Sequence, residues 1–394
     1  MIHRLCVVLA ALLVAACAQV PTSNPDLIGY YAGWNGVVPI DMSRLSAINY
    51  SFLALRGDGS VAVANPGAEE PVLAYLRSQK AARPGQLLFA SVGGWTGSGG
   101  FSDMAHDHAA RERFIVSSLE FLRRNGFDGI DIDWEYPGAI GAGCGAGATC
   151  DRPSDKEDFV RLAREMRTAF DAAGAADGHH YRLTIAAGAD GKFAANATGP
   201  WLARLAASLD WVNLMSYDYH GTWERTANFV APLRTEAGSP EGGSVDSSVS
   251  LFIAEGVPAE KLVLGVPFYG KGWAGCAPGP RGGLYQPCAE LARPDHEATY
   301  EFAWLEDQGY LAQDASGELA VPGRGFARAW NAAASEPSLF DAASGTFIAY
   351  DDERSMREKA RYAKDRGLRG VMFWELTADR HGELARALAS ELGR

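Results

Sequence analysis

Apolar residues fall into eight short runs along this chain, at 27–31, 45–53, 87–92, 129–135, 183–187, 211–217, 262–267 and 370–374. Runs of this length and composition predict strands. Between most of them, apolar residues recur at three- and four-residue spacing, as in 111–125, 155–173 and 353–365. That period predicts amphipathic helices that cover the strands.

Eight strands that alternate with helices predict an α/β protein, a (β/α)8 TIM barrel, in which catalytic residues follow the C-terminal ends of the strands. The interval from the seventh to the eighth strand is much longer than one barrel unit needs. Its central part, 275–346, is rich in Gly, Pro and aromatic residues. We therefore predict a barrel formed by 27–274 and 347–394, with a small α+β insertion domain at 275–346.

The fourth predicted strand carries Asp131, Asp133 and Glu135 at alternate positions. Residues two apart on a strand share a face, so these carboxylates point one way while Ile132 and Trp134 point the other. Carboxylates that line an interior repel one another and lose hydration, which folding alone gives no reason to accept. We interpret them as functional. An exposed edge strand with a solvated acidic face fits less well, because the apolar face would still need burial.

The segment 128–135, DGIDIDWE, resembles the D-x-x-D-x-D-x-E signature of family 18 glycoside hydrolases, the chitinases. Further matches follow in the family's order: SVGGW at 91–95, MSYD at 215–218, LGVPFYG at 264–270 and GVMFWE at 370–375. Together they span nearly the whole chain after about Leu27. The insertion resembles that of one chitinase subfamily. Lys271 is a departure, since many relatives have Arg there, and it puts one polar contact in doubt.

The resemblance implies a retaining, substrate-assisted reaction in which the substrate's own acetamido group is the nucleophile. Glu135 is then the acid and later the base, and Asp133 orients the acetamido N–H so that an oxazolinium intermediate forms. Asp131 shares a proton or hydrogen bond with Asp133. Tyr217 and Asp218 hold the acetamido group and the distorted sugar. Asp128, one residue out of phase, is expected to brace the strand.

The resemblance also implies a substrate site with Trp374 as its apolar floor, because the C–H face of a sugar packs on an aromatic ring. The other residues expected around it are Trp95, Tyr30, Met215, Ser91, Phe52 and Tyr269. Of these, Tyr30 and Ser91 are expected to act as supports behind the site, and Met215 fits the core equally well. Two interpretations remain open for the insertion's aromatics, a small core or sugar platforms: Tyr285, Tyr300, Trp304, Tyr310 and Trp330.

We therefore predict a chitinase that hydrolyses β-1,4 N-acetylglucosamine linkages of chitin or chitooligosaccharides as a monomer, with no metal or other cofactor. The alternatives are a catalytically weak chitin-binding lectin, which the presence of Glu135 disfavours, and a hydrolase of another N-acetylhexosamine glycan, such as peptidoglycan or the N-glycan core. The formal net charge of −12 argues against a nucleic-acid partner.

The first 16 residues carry one early Arg and an apolar run too short to span a membrane, and they predict a secretory signal. The segment VAAC at 14–17 resembles a bacterial lipobox, in which Cys17 is lipidated; an ordinary cleavage site beside a chance cysteine is the alternative. Residues 17–26 then form a tether, and the protein is exported, either secreted or anchored as an outer-membrane lipoprotein.

Four cysteines remain in the mature domain, each pair bracketing a Gly-rich loop: Cys144, Cys150, Cys276 and Cys288. An even number of cysteines in an exported protein, without His-rich spacing, predicts two local disulfides rather than a zinc site.

Overall fold

The computed structural model describes residues 24–394, except 146, 190–192, 194–196, 222, 241 and 295–298. In this part of the chain, parallel strands close into a barrel: β1 (Asp26–Ala32), β2 (Ala47–Leu55), β4 (Leu87–Gly93), β5 (Gly129–Asp133), β6 (Arg182–Gly188), β7 (Trp211–Met215), β8 (Leu262–Pro267) and β18 (Gly370–Trp374). Strand order follows chain order, and β1 pairs with both β2 and β18, which closes the barrel. The predicted TIM barrel is confirmed. A short strand, β3 (Val61–Val63), pairs antiparallel with the end of β2.

The helices of the described residues are α1 (Pro66–Ala82), α2 (Phe101–His106), α3 (His108–Asn125), α4 (Asp155–Asp177), α5 (Trp201–Ala207), α6 (Val245–Ala254), α7 (Phe302–Asp307), α8 (Glu353–Asp365) and α9 (Glu383–Leu392). All three predicted helices are present. The helix predicted from 111 begins earlier, at His108, because the Asp107 carboxylate caps it by accepting a hydrogen bond of 2.7 Å from the Ala110 N–H.

The main core lies between the barrel and these helices. Ile132 and Trp134 are buried there, and the Trp134 ring stacks on Phe101 of α2 at 5.5 Å and meets Phe159 of α4 at 5.2 Å. The apolar face of the acidic strand is therefore covered by helices, as the alternation predicts.

Two predicted strands end earlier than their sequence patterns indicate. The strand predicted to reach 135 ends at Asp133, because the Glu135 N–H bonds to the Ser98 hydroxyl at 2.9 Å instead of to a neighbouring strand. The strand predicted to reach 217 ends at Met215, because the Ser216 N–H turns back to the Leu214 carbonyl. Glu135 and Tyr217 therefore lie just beyond their strands.

An α+β insertion lies between β8 and β18. It contains α7 and the strands β9 (Tyr269–Cys276), β10 (Pro280–Gly283), β11 (Cys288–Leu291), β12 (Thr299–Glu301), β13 (Leu311–Gln313), β14 (Leu319–Pro322), β15 (Ala327–Asn331), β16 (Glu336–Asp341) and β17 (Thr346–Ala349). Six of these strands form an antiparallel sheet in the order β11-β9-β17-β16-β15, with β12 also paired to β9. This sheet extends beyond the expected 275–346, because β9 begins at Tyr269 and β17 ends at Ala349. Tyr300, Trp304 and Tyr310 pack on one another with ring centroids 5.3–6.1 Å apart, which favours the core interpretation of these three aromatics.

Both predicted disulfides are present, Cys144–Cys150 and Cys276–Cys288. The first closes the loop that follows Glu135, and the second joins β9 to β11, which are paired at these residues. Cys17 and the predicted signal segment lie outside the described residues. Within the described ranges, no helix is both long and apolar enough to cross a membrane.

Candidate active site

The three carboxyl groups of the acidic segment lie at the C-terminal end of the barrel at different depths. Asp131 and Asp133 belong to β5 and point into the barrel, where both are buried. Glu135 follows the strand and is only half-buried. The arrangement therefore runs from a buried interior toward an opening.

The Asp131 carboxylate is held by four hydrogen bonds from other strands. Its Oδ2 accepts from the hydroxyls of Tyr30 at 2.8 Å and Ser91 at 2.9 Å. Its Oδ1 accepts from the Thr184 hydroxyl at 2.6 Å and the Asn213 amide at 3.1 Å. Burial raises the pKa of Asp131, and these donors oppose that rise by stabilising the charged form.

Tyr30 and Ser91 thus lie behind the acidic segment, where the sequence interpretation expects supports. Thr184 and Asn213 were missed by that interpretation. The signal available was a polar residue at an inward position of an otherwise apolar run. Asn213 is oriented in turn by Trp211, whose indole N–H donates to the Asn213 Oδ1 at 3.1 Å.

Asp133 is surrounded differently from Asp131. Its Oδ1 is buried and accepts no hydrogen bond from the described residues. Burial, followed by the negative charges of Glu135 and Asp131, raises the pKa of Asp133 well above its ordinary value. The structure therefore brings the three carboxyl groups into one electrostatic unit, with a buried acceptor oxygen at its centre.

Tyr217 and Asp218 lie beside this unit, after β7. Burial is the main cause that raises the pKa of the Tyr217 hydroxyl far above normal, and Asp133 and Asp218 add to it, so the phenol keeps its proton. Asp218 has a φ of 56°, in the left-handed region that costs a non-glycine residue energy. A hydrogen bond joins Asp218 to Tyr269, whose own pKa is raised mainly by burial.

Aromatic side chains form one wall at the end of the barrel. The Trp374 ring is half-buried and stacks on Phe52 with centroids 5.7 Å apart and planes at 18°. Tyr30 lies 5.6 Å from the same ring. Trp34, which the sequence interpretation missed, stacks on Phe52 at 6.1 Å and is 63% exposed. Trp374 and Phe52 thus form one surface with Trp34.

The remaining expected residues lie toward the rim or near the core. Trp95 is 53% exposed on the loop after β4, and Met215 is half-buried at the end of β7. Other exposed apolar residues follow barrel strands, among them Ile140 and Trp223.

Asp128 has the bracing role that its phase predicts. Its carboxylate accepts a 2.7 Å hydrogen bond from the Leu88 N–H and pairs with Lys80 of α1. Lys271, the noted departure, donates to the Thr299 hydroxyl at 2.8 Å and lies over the Tyr269 ring at 5.4 Å. Among the residues described, no group of three or more His, Cys, Asp or Glu side chains is arranged to hold a metal ion.

Comparisons with known proteins agree with this geometry. The family model "Glycosyl hydrolases family 18" matches residues 26–379. Chitinase A1 of Niallia circulans is 34% identical over 425 residues, covering 93% of this chain and 58% of that protein. Chitinase B of Serratia marcescens is 32% identical over 407 residues, covering 90% and 77%. This chain therefore spans little more than half of chitinase A1.

Solved structures give the same picture. A family 18 N-acetylglucosaminidase from Paenibacillus barengoltzii superposes with a TM-score of 0.81 at 35% identity, covering 93% of this chain and all 100% of the other. A chitinase from Bacillus thuringiensis superposes with a TM-score of 0.82 at 33% identity, covering 94% and 70%. With a family match over most of its length, the chain belongs to glycosyl hydrolases family 18.

Proposed function

We propose that this protein is a chitinase that cleaves β-1,4 linkages of N-acetylglucosamine with retention, through the substrate's own acetamido group. Glu135 protonates the leaving oxygen while the acetamido oxygen attacks the anomeric carbon, and an oxazolinium intermediate forms. Glu135, now a carboxylate, then takes a proton from the water that opens the intermediate. Two inversions at one carbon restore the β configuration.

The observation that carries this proposal is the buried Oδ1 of Asp133, an acceptor without a donor among the described residues. An acetamido N–H is a donor of matching chemistry, and a hydrogen bond to Asp133 would aim the acetamido oxygen at the anomeric carbon. Asp131, held by its four donors, is a fixed neighbour whose negative charge helps to raise the pKa of Asp133.

Tyr217 and Trp374 complete the proposed sugar site. Because its pKa is raised, the Tyr217 hydroxyl stays protonated and can donate to the acetamido oxygen, with Asp218 and Tyr269 holding that corner. Trp374 offers its ring as a floor for the sugar, backed by Phe52. Trp95 and Met215 are proposed to contact neighbouring parts of the chain of sugars.

The deciding experiment combines NMR of the first-formed anomer with digestion of fully deacetylated chitosan. We expect a β product and no cleavage of the deacetylated polymer. An α product, or efficient cleavage of that polymer, would assign the attack to water or to an enzyme carboxylate. Asp133→Asn should lower kcat by about 100-fold or more while substrate affinity changes less.

The glycan and the mode of cleavage are tested by the products. Chitin oligomers, peptidoglycan and N-glycans are offered in parallel, and we expect turnover of the chitin oligomers alone. The course of product lengths over time then separates internal cleavage from cleavage at chain ends, which matters because one structural relative is named an N-acetylglucosaminidase.

We also propose that the protein is exported and lipidated at Cys17. The two disulfides support an oxidising compartment. The native protein should fractionate with membranes, and Cys17→Ser should not be lipidated, with catalysis unchanged. A native mass that begins at Ala18 or later, in a soluble fraction, would exclude the anchor.

A further inference from the structure

The loop after β4 folds unusually close to the end of the acidic strand. Gly93 and Gly94 have φ values of 112° and 78°, which favour glycine. A Cβ on Gly93 would lie 2.2 Å from the Asp133 carbonyl oxygen, so only glycine permits this approach. The Gly94 N–H donates to that same carbonyl at 2.9 Å. The loop is therefore locked against the backbone of Asp133.

Ser98, in the same loop, reaches two residues further along the acidic segment. Its side chain is buried, and its Oγ accepts a 2.9 Å hydrogen bond from the Glu135 N–H. The hydroxyl has one proton to give, and the carbonyl oxygens of Gly94 and Asp133 lie 2.8 Å and 3.0 Å away. Ser98 Oγ thus accepts a hydrogen bond from the Glu135 N–H and can donate one to the Gly94 or the Asp133 carbonyl oxygen.

The three residues at the end of this segment are fixed by different means. Asp133 is held by strand pairing and by the Gly94 N–H, and Trp134 by its ring packing between α2 and α4. Glu135 lies beyond the sheet, and the Ser98 hydroxyl accepts its backbone N–H in place of a neighbouring strand. Loss of that acceptor would remove one restraint on the backbone that carries the Glu135 carboxyl.

We propose that Ser98 is a positioning residue that sets the place of the Glu135 carboxyl relative to the leaving oxygen. This inference rests on the proposed role of Glu135 as the acid. Protonation of a leaving oxygen depends steeply on geometry, so a small displacement of Glu135 should slow the step that needs the proton. Steps that need no proton should be spared.

The test compares Ser98→Ala with the unmodified protein on two substrates that share one sugar chain. The first is a chitooligosaccharide, whose leaving group must be protonated. The second is a 2,4-dinitrophenyl chitobioside, whose leaving group departs as a stable anion. We expect Ser98→Ala to lower kcat/KM on the oligosaccharide by about 30-fold. The value on the dinitrophenyl substrate should stay nearly unchanged, and Ser98→Thr, which keeps the hydroxyl, should restore most of the loss.

Ser46→Ala is the matched control. Ser46 Oγ accepts a 3.0 Å hydrogen bond from the Leu27 N–H near the start of β1, at the opposite end of the barrel. Ser46→Ala should leave unchanged the ratio of kcat/KM on the chitooligosaccharide to kcat/KM on the dinitrophenyl substrate. If Ser98→Ala does not fold, as judged by thermal melting, Ser98→Cys carries the same test, because a thiol is a weak acceptor.

An equal loss on both substrates, or none on either, would overturn the positioning role of Ser98. Glu135→Gln, measured on the same pair, separates this from the proposed function. If Glu135→Gln also fails to discriminate between the substrates, the acid itself is misassigned. If only Ser98→Ala fails to discriminate, Glu135 keeps its role and Ser98 loses its own.

Discussion

Two of the buried clusters of ionisable side chains among the described residues are neutralised in different ways. One is formed by Asp131 and Asp133 on β5, inside the barrel. The other is formed by Lys359 of α8, Asp351 before that helix and Glu336 of β16. Each removes at least two carboxyl groups from water, which is costly unless the charges are compensated.

In the Lys359 cluster, a cation compensates the carboxylates directly. Lys359 Nζ lies 2.6 Å and 2.7 Å from the two oxygens of Asp351 and 3.2 Å from Glu336. Burial raises the pKa of Glu336 to about 8, despite the opposing effect of Lys359, so near neutrality the cluster can carry one proton on Glu336 and no net charge. Glu336 Oε1 also accepts from the Ala231 N–H at 3.0 Å, which ties the insertion to the loop after β7.

In the barrel cluster, no ion pair from the described part of the chain reaches either aspartate. Asp131 is satisfied by four neutral donors. Among the described residues, Asp133 Oδ1 has no hydrogen-bond partner, and the same is true of Glu336 Oε2 in the Lys359 cluster, so the clusters differ in the presence of a cation. The Lys359 cluster links the insertion to the barrel through paired charges, whereas the barrel cluster has no cation beside its carboxyl groups in the described part of the chain. The difference indicates that the Lys359 cluster serves stability and that the barrel cluster sacrifices some of it.

The largest effect on stability is expected from Lys359→Met. It leaves two buried carboxyl groups without their cation, and breaking a buried ion pair costs about 3–5 kcal/mol of unfolding free energy. Urea denaturation measures it. The kcat of the protein that remains folded should stay near that of the unmodified protein, because Lys359 is not part of the proposed site.

Lys364→Met, on the same helix, is the control. Lys364 pairs with Glu391 at 3.0 Å and is 38% exposed, so its loss should cost about 1 kcal/mol or less. If Lys359→Met is no more destabilising than Lys364→Met, the buried cluster is not the structural link inferred above.

The next effect is on catalysis and comes from Glu135→Gln. Removal of the transferable proton should lower kcat by about 100-fold or more. The melting temperature and the Kd for a chitooligosaccharide should change little, because the amide keeps the shape of the side chain. Glu112→Gln, on the exposed face of α3, is the control and should retain full activity. Near-normal turnover by folded Glu135→Gln would remove Glu135 from its role.

Asp131→Asn should destabilise the protein by about 2 kcal/mol, since an amide presents N–H groups to a position where four donors converge. Differential scanning calorimetry is the measurement. An unchanged or raised melting temperature would mean that the four hydrogen bonds do not stabilise the native barrel, and the contrast between Asp131 and its neighbour would disappear.

The barrel was predictable from sequence because buried parallel strands require continuous apolar runs, and all eight runs form barrel strands. The ends of two strands were not. The strand at 129 ends where the Glu135 N–H finds the hydroxyl of Ser98, a partner 37 residues away, and no local pattern reveals such a contact.

The candidate-site residues that belong to a sequence motif were predictable. Those that reach the site only through the arrangement of strands in the barrel were not. Thr184 and Asn213 reach Asp131 only because β6 and β7 come next in the barrel, although each is a polar residue in an apolar run. Trp34 is a single aromatic residue after β1. It reaches the Phe52 and Trp374 surface only because barrel closure brings β1 between β2 and β18.

The smallest expected effect on stability comes from Asp133→Asn. It should stabilise the protein, whereas Asp131→Asn should destabilise it, so the sign of the change separates the two aspartates. Burial and neighbouring carboxyl groups raise the pKa of Asp133, so above that pKa the native state holds a charge that the unfolded chain would carry more easily. The neutral amide removes this burden, and near neutral pH we expect a gain of about 1 kcal/mol. As the pH falls toward the ordinary aspartate value of about 4, Asp133 becomes protonated in the native protein and the advantage of asparagine should vanish. Melting curves from pH 4 to pH 8 measure this, and a stability loss in Asp133→Asn at neutral pH would show that Asp133, like Asp131, is a satisfied structural group.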